Sequence, residues 1–329
     1  MNAEEDPLRS ALRELGAELR REFSQEMRQY GPFRPLRLIG SGATSEVYAA
    51  AREGDAGTAL RYAVKVVRPG ADVREVLERF AREQAIVARI AHPGVVPVVA
   101  SGMTDDARPW FAMPLVEGEP VTVAADRAAL SLAARVQLLV QVLEVVAAAH
   151  DAGVVHRDLK PGNILVEEHG GVLAPRLIDF GIARALGGAS SSLTPNDHVH
   201  RLGTPDYMSP EQWKDGVAAC DARSDVFALG IVLGEVLAGV LPREPRQATR
   251  RSRKPTPVVP PSAALGSLLR TSPEKAHEAA RRRGLDDAER LAAALRGRID
   301  TVVAHATDAD PAARPADARE LAAEVRRSL

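Results

Sequence analysis

The loop His156-Arg157-Asp158-Leu159-Lys160-Pro161-Gly162-Asn163 gathers a carboxylate, a lysine and a carboxamide, and a second carboxylate follows in Asp179-Phe180-Gly181. Far upstream, Lys65 sits in Ala63-Val64-Lys65, on a run with β-strand character. Before it comes Gly40-Ser41-Gly42-Ala43-Thr44-Ser45, a turn whose missing side chains let backbone N–H groups approach phosphates. By itself such a turn is as readily a plain hairpin. It is not the phosphate loop that opens a helix, because no Gly-Lys-Ser/Thr follows and a strand-like run comes next. Cations, carboxylates and a glycine-rich turn in this order are the parts that chemistry on a phosphorylated molecule requires.

The elements that must hold these parts follow from periodicity. Leu8, Leu12, Leu15, Leu19, Phe23, Met27 and Tyr30 recur at helical steps, predicting an amphipathic helix over 8–30 that Gly31 and Pro32 end. Short β-like runs follow at 34–39, 46–50 and 61–67, then a helix that Asp72 can cap, reaching Ile90. Further strands are expected at 95–100 and 110–116, near 164–166 and near 176–178. From Ser131 the pattern turns helical, with apolar helices over 132–149 and 226–241 and later ones over 285–295, 299–306 and 316–326. Residues 242–262 are rich in Pro and Arg and are expected as a basic surface loop.

Composition narrows the class. The 329 residues carry 45% hydrophobic and 26% charged side chains, ordinary for a globular chain of one large or two modest domains. Lys and Arg number 43 against 44 Asp and Glu, so no overall field draws the chain to nucleic acid. The single cysteine, Cys220, excludes an internal disulfide and a multi-thiolate zinc site, and it fits a reducing compartment. The acidic start Met1–Asp6 lacks an apolar core, so no secretory leader is expected, and Glu235 interrupts the longest apolar stretch. A cytoplasmic location without a membrane span is the expectation.

Taken in order, Ala63-Val64-Lys65, His156 to Asn163 and Asp179-Phe180-Gly181 resemble the motifs of the protein kinase superfamily. Gly203-Thr204-Pro205-Asp206-Tyr207-Met208-Ser209-Pro210-Glu211 resembles the end of its activation segment, with Ser209 where the family usually has Ala. The stretches from Asp221 to Gly230 and from Asp310 to Pro315 resemble its later helical motifs, in the style of bacterial eukaryotic-like (Hanks-type) Ser/Thr kinases. The resemblance runs from about Phe33 to Arg327. It implies an α+β bilobal kinase fold with a small β-rich N-lobe over 32–116, holding one long helix, and a larger mainly helical C-lobe over 117–329. Residues 1–31 would form a helical extension.

The resemblance also assigns roles. Phosphoryl transfer needs charge neutralised on the triphosphate and a hydroxyl held in line with the γ-phosphorus. Lys65 would contact the α- and β-phosphates of ATP, oriented by Glu83 in Arg79-Phe80-Ala81-Arg82-Glu83. Asp158 would accept the substrate proton, and Lys160 would reach the γ-phosphate. Asn163 and Asp179 would hold Mg²⁺, or Mn²⁺ in its place. Gly40 and Gly42 would cover the phosphates. Ile39, Val47 and Ala63 would lie above adenine and Leu165 below it, with Met113 before the hinge Pro114-Leu115-Val116. Pro114 replaces the usual acidic hinge residue and offers a carbonyl but no N–H. Asp225 resembles the carboxylate that holds the catalytic loop, and Glu211 with Arg314 the family's structural ion pair.

Asp-Leu-Lys-Pro is the Ser/Thr form of the loop, so protein Ser/Thr hydroxyls are the expected acceptors. Ser190, Ser191, Ser192 and Thr194 are the expected autophosphorylation sites, with Arg157 as a cation for the phosphate and Thr204 shaping the substrate loop. His198 and His200 have no ligand cluster around them. The helix over 8–30 would dock on its own small lobe, form a dimer or receive a regulatory partner, and the basic stretch from Arg243 to Lys254 would be solvated or dock an acidic substrate. Rival readings are a catalytically silent scaffold and a small-molecule kinase of the same fold.

Overall fold

A computed structural model describes residues 29–42, 45–54, 61–68, 87, 90–180, 205–245 and 255–328. The chain divides into two units, one of 1–70 with 98–115 and one of 71–97 with 116–329.

In the first unit, β1 (Phe33–Ser41), β2 (Ser45–Arg52), β3 (Tyr62–Val67), β4 (Ala100–Met103) and β5 (Pro109–Pro114) form an antiparallel sheet in the order β1-β2-β3-β5-β4. The β-branched Val64 and Val66 pack inward from β3 with the rings of Tyr30, Phe33, Tyr48 and Trp110. Phe33 meets Trp110 edge-on at 6.0 Å. Gly102 leaves room for that indole, since a Cβ there would lie 2.6 Å from Trp110 Cζ2. Tyr30 does not continue a helix. It bridges Phe33 around Gly31, whose φ of +58° turns the chain, and it is buried in the aromatic cluster. The rest of the expected 8–30 helix lies outside the described residues, as does the 72–90 helix except for Val87, which is helical, and Ile90, which is not.

The strand expected at 95–100 begins only at Ala100. Val95 to Pro97 belong to the second unit, where Val95 bridges Leu177, Val96 N–H donates to the Leu177 carbonyl and Leu177 N–H donates to the Gly94 carbonyl, whereas Val98 and Val99 belong to the first unit, where Val99 N–H donates to the Ala112 carbonyl of β5. Apolar alternation misled because Val95 and Val96 are buried through their contacts with β8, while Val99 is exposed and makes a single bond to β5, so the run has no ladder of its own. The second unit has a three-stranded sheet of β6 (Glu119–Pro120), β7 (Ile164–His169) and β8 (Val172–Leu177). Its helices are α1 (Val121–Arg127), α2 (Leu132–Asp151), α3 (Pro210–Asp215), α4 (Ala222–Ala238), α5 (Pro261–Thr271), α6 (Pro273–Arg281), α7 (Ala288–Leu295), α8 (Arg298–Ala306) and α9 (Ala318–Arg327).

Helix α4 is the central rod of this unit, buried on every side. Each buried Val, Leu or Phe contributes about 1.5–3 kcal/mol, which offsets the cost of holding Asp225 and Glu235 inside. Asp221 caps its start and Gly239, with φ +76°, ends it, three residues short of the stretch read from apolarity. Its last carbonyls are satisfied by buried arginines: Arg135 donates to Val236, and Arg283 to Val236 and Leu237. Glycine opens a close approach in the same helix, because a Cβ on Gly230 would lie 2.7 Å from Thr307 Cγ2.

The 242–262 stretch is not a plain surface loop in its described parts. Arg243 is buried, stacks over Phe227 at 5.7 Å, donates to the Asp206 and Thr256 carbonyls and bridges Val258, while Pro261 opens α5. Two of the guanidinium nitrogens meet carbonyls and its plane lies over an aromatic face, which offsets part of the cost of leaving water. Residues 246–254 lie outside the described residues.

Candidate active site

The loop from His156 to Asn163 is hung from α4 by one carboxylate. Asp225 accepts the His156 N–H on Oδ2 at 2.7 Å and the Arg157 N–H on Oδ1 at 2.8 Å, and His150 Nε2 reaches Oδ2 at 3.0 Å. Burial alone would raise the Asp225 pKa, but the hydrogen bonds from His150 and the His156 N–H hold it below the ordinary carboxylate value. His150 Nδ1 accepts the Ala318 N–H at 3.2 Å, which leaves Nε2 as the nitrogen that donates to Asp225.

His156 lies inside the fold and links two segments. Its Nδ1 accepts the Asp158 N–H at 3.3 Å, so Nε2 carries the proton donated to the Ile178 carbonyl at 2.9 Å. The same ring lies 4.6 Å from Phe180. The Asn163 carbonyl accepts the Ile178 N–H at 3.1 Å, so the strand end before Asp179 is tied to the loop at two points. Asp179 itself has φ +67°.

Two side chains converge on the Asp158 carboxylate. Lys160 Nζ lies 2.8 Å from Oδ2, and Asn163 Nδ2 donates to the same oxygen at 3.0 Å and to the Asp158 carbonyl at 2.7 Å. With its NH₂ group committed on both hydrogens, Asn163 keeps Oδ1 as its acceptor. A carboxamide oxygen at Asn163 and a carboxylate at Asp179 are hard donors of the kind Mg²⁺ takes alongside phosphate oxygens. Among the described residues no group of three or more His, Cys, Asp and Glu could hold a metal unaided, and a two-ligand site completed by a substrate's phosphates fits that donor set.

Residues 33–264 match the protein kinase domain family. The chain belongs to that family. Among its curated relatives are the probable serine/threonine-protein kinase PknB of Corynebacterium glutamicum, 36% identical over 242 residues, covering 71% of this chain and 36% of that protein. Another is the DNA damage-responsive serine/threonine-protein kinase RqkA of Deinococcus radiodurans, 40% identical over 218 residues, covering 64% of this chain and 30% of that protein. The chain thus spans about a third of the length of these relatives. Among solved structures, the Mycobacterium tuberculosis PknI kinase domain aligns with a TM-score of 0.62 at 26% identity, covering 92% of this chain and 99% of that one. The kinase fold, with a sheet unit and a helical unit, and the bacterial Hanks-type Ser/Thr branch are thereby shown.

In the sheet unit of this kinase, Lys65 is half-buried on β3, opposite Val47 on β2 and Phe111 on β5, and Ala63 is opposite Met113. Ala63 and Met113 are buried, whereas Ile39 is 40% exposed and Pro114 ends β5 exposed. Gly40 pairs with Val47, and the Gly42 N–H closes the turn onto the Ser45 carbonyl at 2.9 Å. In the helical unit Leu165 lies on β7 opposite Pro120, and Val116 is half-buried. Glu83, Ser190, Ser191, Ser192, Thr194, His198, His200 and Thr204 lie outside the described residues.

The motifs leave out Gln212, and they include Tyr207 without revealing its partner. Gln212 Nε2 donates to the Arg157 carbonyl at 2.7 Å, and Tyr207 donates to Glu235 at 2.6 Å, an acid whose pKa burial pushes up. Nothing in one sequence flags a glutamine beside Glu211, since its partner is a backbone carbonyl. Ser209, the departure from the usual alanine, caps α3 by accepting the Gln212 N–H at 3.3 Å. Helix α2 is long and apolar enough to cross a membrane, but it is packed inside the helical unit, with 56% of its apolar stretch buried.

Proposed function

We propose that this chain transfers the γ-phosphoryl group of ATP to Ser or Thr hydroxyls of proteins. The observation that carries the reading is the grouping of Lys160 and Asn163 on one oxygen of Asp158, which directs a solvent-reachable carboxylate flanked by a cation. The acceptor oxygen bonds to the γ-phosphorus as the bond to the bridging oxygen of ADP breaks, and the hydroxyl proton passes to the Asp158 carboxylate. Lys160 offsets negative charge on the transferred group, and Lys65 holds the α- and β-phosphates with Glu83 as its orienting partner. Asn163 and Asp179 hold Mg²⁺, which neutralises phosphate charge when bound. Ile39, Val47, Ala63, Met113 and Leu165 enclose adenine, and the Pro114 and Val116 backbone meets its edge.

Autophosphorylation within 190–194 supplies the regulatory step in this reading, and residues 1–31 act as an extension before a sheet lobe of 32–116 and a helical lobe of 117–329. The test is incubation with γ-labelled ATP and Mg²⁺ beside Asp158→Asn, with a generic basic protein added, followed by phosphosite mapping. Label on the added protein and within 190–194, absent from the variant, is the expected result. Label of equal strength in the variant, or none in the wild type, rejects the reading.

A further inference from the structure

The peptide unit that precedes Asp158 is held at both of its polar ends. Its N–H, on Asp158, donates to His156 Nδ1 at 3.3 Å, and its carbonyl, on Arg157, accepts from Gln212 Nε2 at 2.7 Å. One residue back, the Arg157 N–H is held by Asp225 at 2.8 Å. Arg157 has φ +68°, a left-handed conformation that a residue with a side chain keeps only when its surroundings impose it. The acceptor identity fixes the amide, because only the NH₂ end of Gln212 can meet a carbonyl.

Gln212 is itself fixed. It is buried in the first turn of α3, with its own N–H on the Ser209 hydroxyl, and its neighbour Glu211 is clamped by Arg314. Arg157, Asp158, Tyr207, Met208, Gln212 and Asp225 line one small cavity, so this amide stands where the loop faces the Pro205–Tyr207 turn.

We infer that Gln212 is a positioning residue, which fixes the peptide plane before Asp158 and thereby the direction of its carboxylate. The helix that ends the activation segment is then mechanically joined to the catalytic loop through a neutral side chain. This inference deepens the proposed kinase activity and rests on it for the word catalytic. It does not rest on it for the geometry.

The test uses Gln212→Met, which removes the donor at similar volume, and Gln212→Glu, which turns an acceptor toward the carbonyl. Hydrogen exchange over the peptide 156–163, thermal unfolding, and kcat with KM for ATP and a peptide substrate are measured on the full chain. The expected result in Gln212→Met is exchange about tenfold faster over 156–163 and kcat about tenfold lower, the effect of one lost buried hydrogen bond, with both KM values within about twofold. Gln212→Glu falls further. Unchanged exchange over 156–163 in a folded variant overturns the inference, and so does a change confined to KM for the peptide substrate. A wild type that transfers no phosphoryl group rejects the proposed function instead, while the exchange comparison still decides the role of Gln212.

Discussion

Arg314 and Glu211 meet through both terminal atoms of each side chain, Nη1 on Oε1 at 2.8 Å and Nη2 on Oε2 at 2.9 Å. The guanidinium has no exposed surface, stacks over Phe227 at 5.0 Å and also serves the Asp308 and Arg223 carbonyls. Removing one partner strands the other charge inside. Arg314→Ala is expected to lose about 3–5 kcal/mol of stability, and Arg314→Lys an intermediate amount because an ammonium cannot make the paired contact. Urea unfolding midpoints check both.

The same pair sets an acid limit. Burial would raise the Glu211 pKa, but hydrogen bonds from Arg314 and Ser224 bring it from the model-peptide value of 4.5 to about 2. A carboxylate with a depressed folded pKa contributes stability above its unfolded value, and that contribution is lost as pH falls toward the folded one. The pair's contribution therefore declines between pH 4.5 and about 2. Thermal unfolding of the wild type against Glu211→Gln across this range is expected to converge at the acid end.

Asp158 is a carboxylate that the fold does not need. It is partly exposed and bonded chiefly to Lys160 and Asn163, so Asp158→Asn should keep its unfolding temperature while turnover falls by about 10²–10⁴-fold, the scale of a lost general base. Initial rates beside a melting curve separate the two quantities.

Asn163→Ala removes both the tie to Asp158 and the carboxamide oxygen. The expected outcome is a higher Mg²⁺ concentration for half-maximal activity together with a lower plateau, because ligand and loop anchor are lost at once. A Mg²⁺ titration at saturating ATP reads this. An unchanged midpoint would remove Asn163 from the cation site.

Gly230→Ala tests the packing of α4. The added methyl would meet Thr307 Cγ2 at 2.7 Å and Ala306 Cβ at 2.9 Å, forcing α8 outward. A loss of about 1–3 kcal/mol is expected from overpacking, read by denaturant unfolding.

The grouping of Asp158, Lys160 and Asn163 was legible because these side chains meet at fixed local spacing. Strands β1 to β3 and helix α2 were legible through period and breakers such as Gly31, Pro32 and Ser131. What escaped depends on partners distant in sequence. Val95 to Val99 looked like a strand because they are apolar, yet Val95 and Val96 join β8 and Val99 bonds to β5 without forming a ladder, and Arg243 looked solvated because no local pattern reveals the carbonyls of Asp206 and Thr256. Helices α1, α3, α5 and α6 were missed, and the last three each open on a proline that serves as a first-turn residue rather than a breaker. Gln212 had no signal because backbone acceptors leave no trace in residue type.

The chain holds two tryptophans, and the fold gives one to each unit: Trp110 in the aromatic cluster of the sheet and Trp213 in α3. Their emission therefore provides two optical channels that belong to different parts of the molecule. With Trp213→Phe, all indole fluorescence comes from the sheet unit, while far-ultraviolet ellipticity is dominated by the helices of the other. Superimposed denaturation curves from these two signals would mean a single cooperative transition, and separated curves would time the opening of each unit without any added dye.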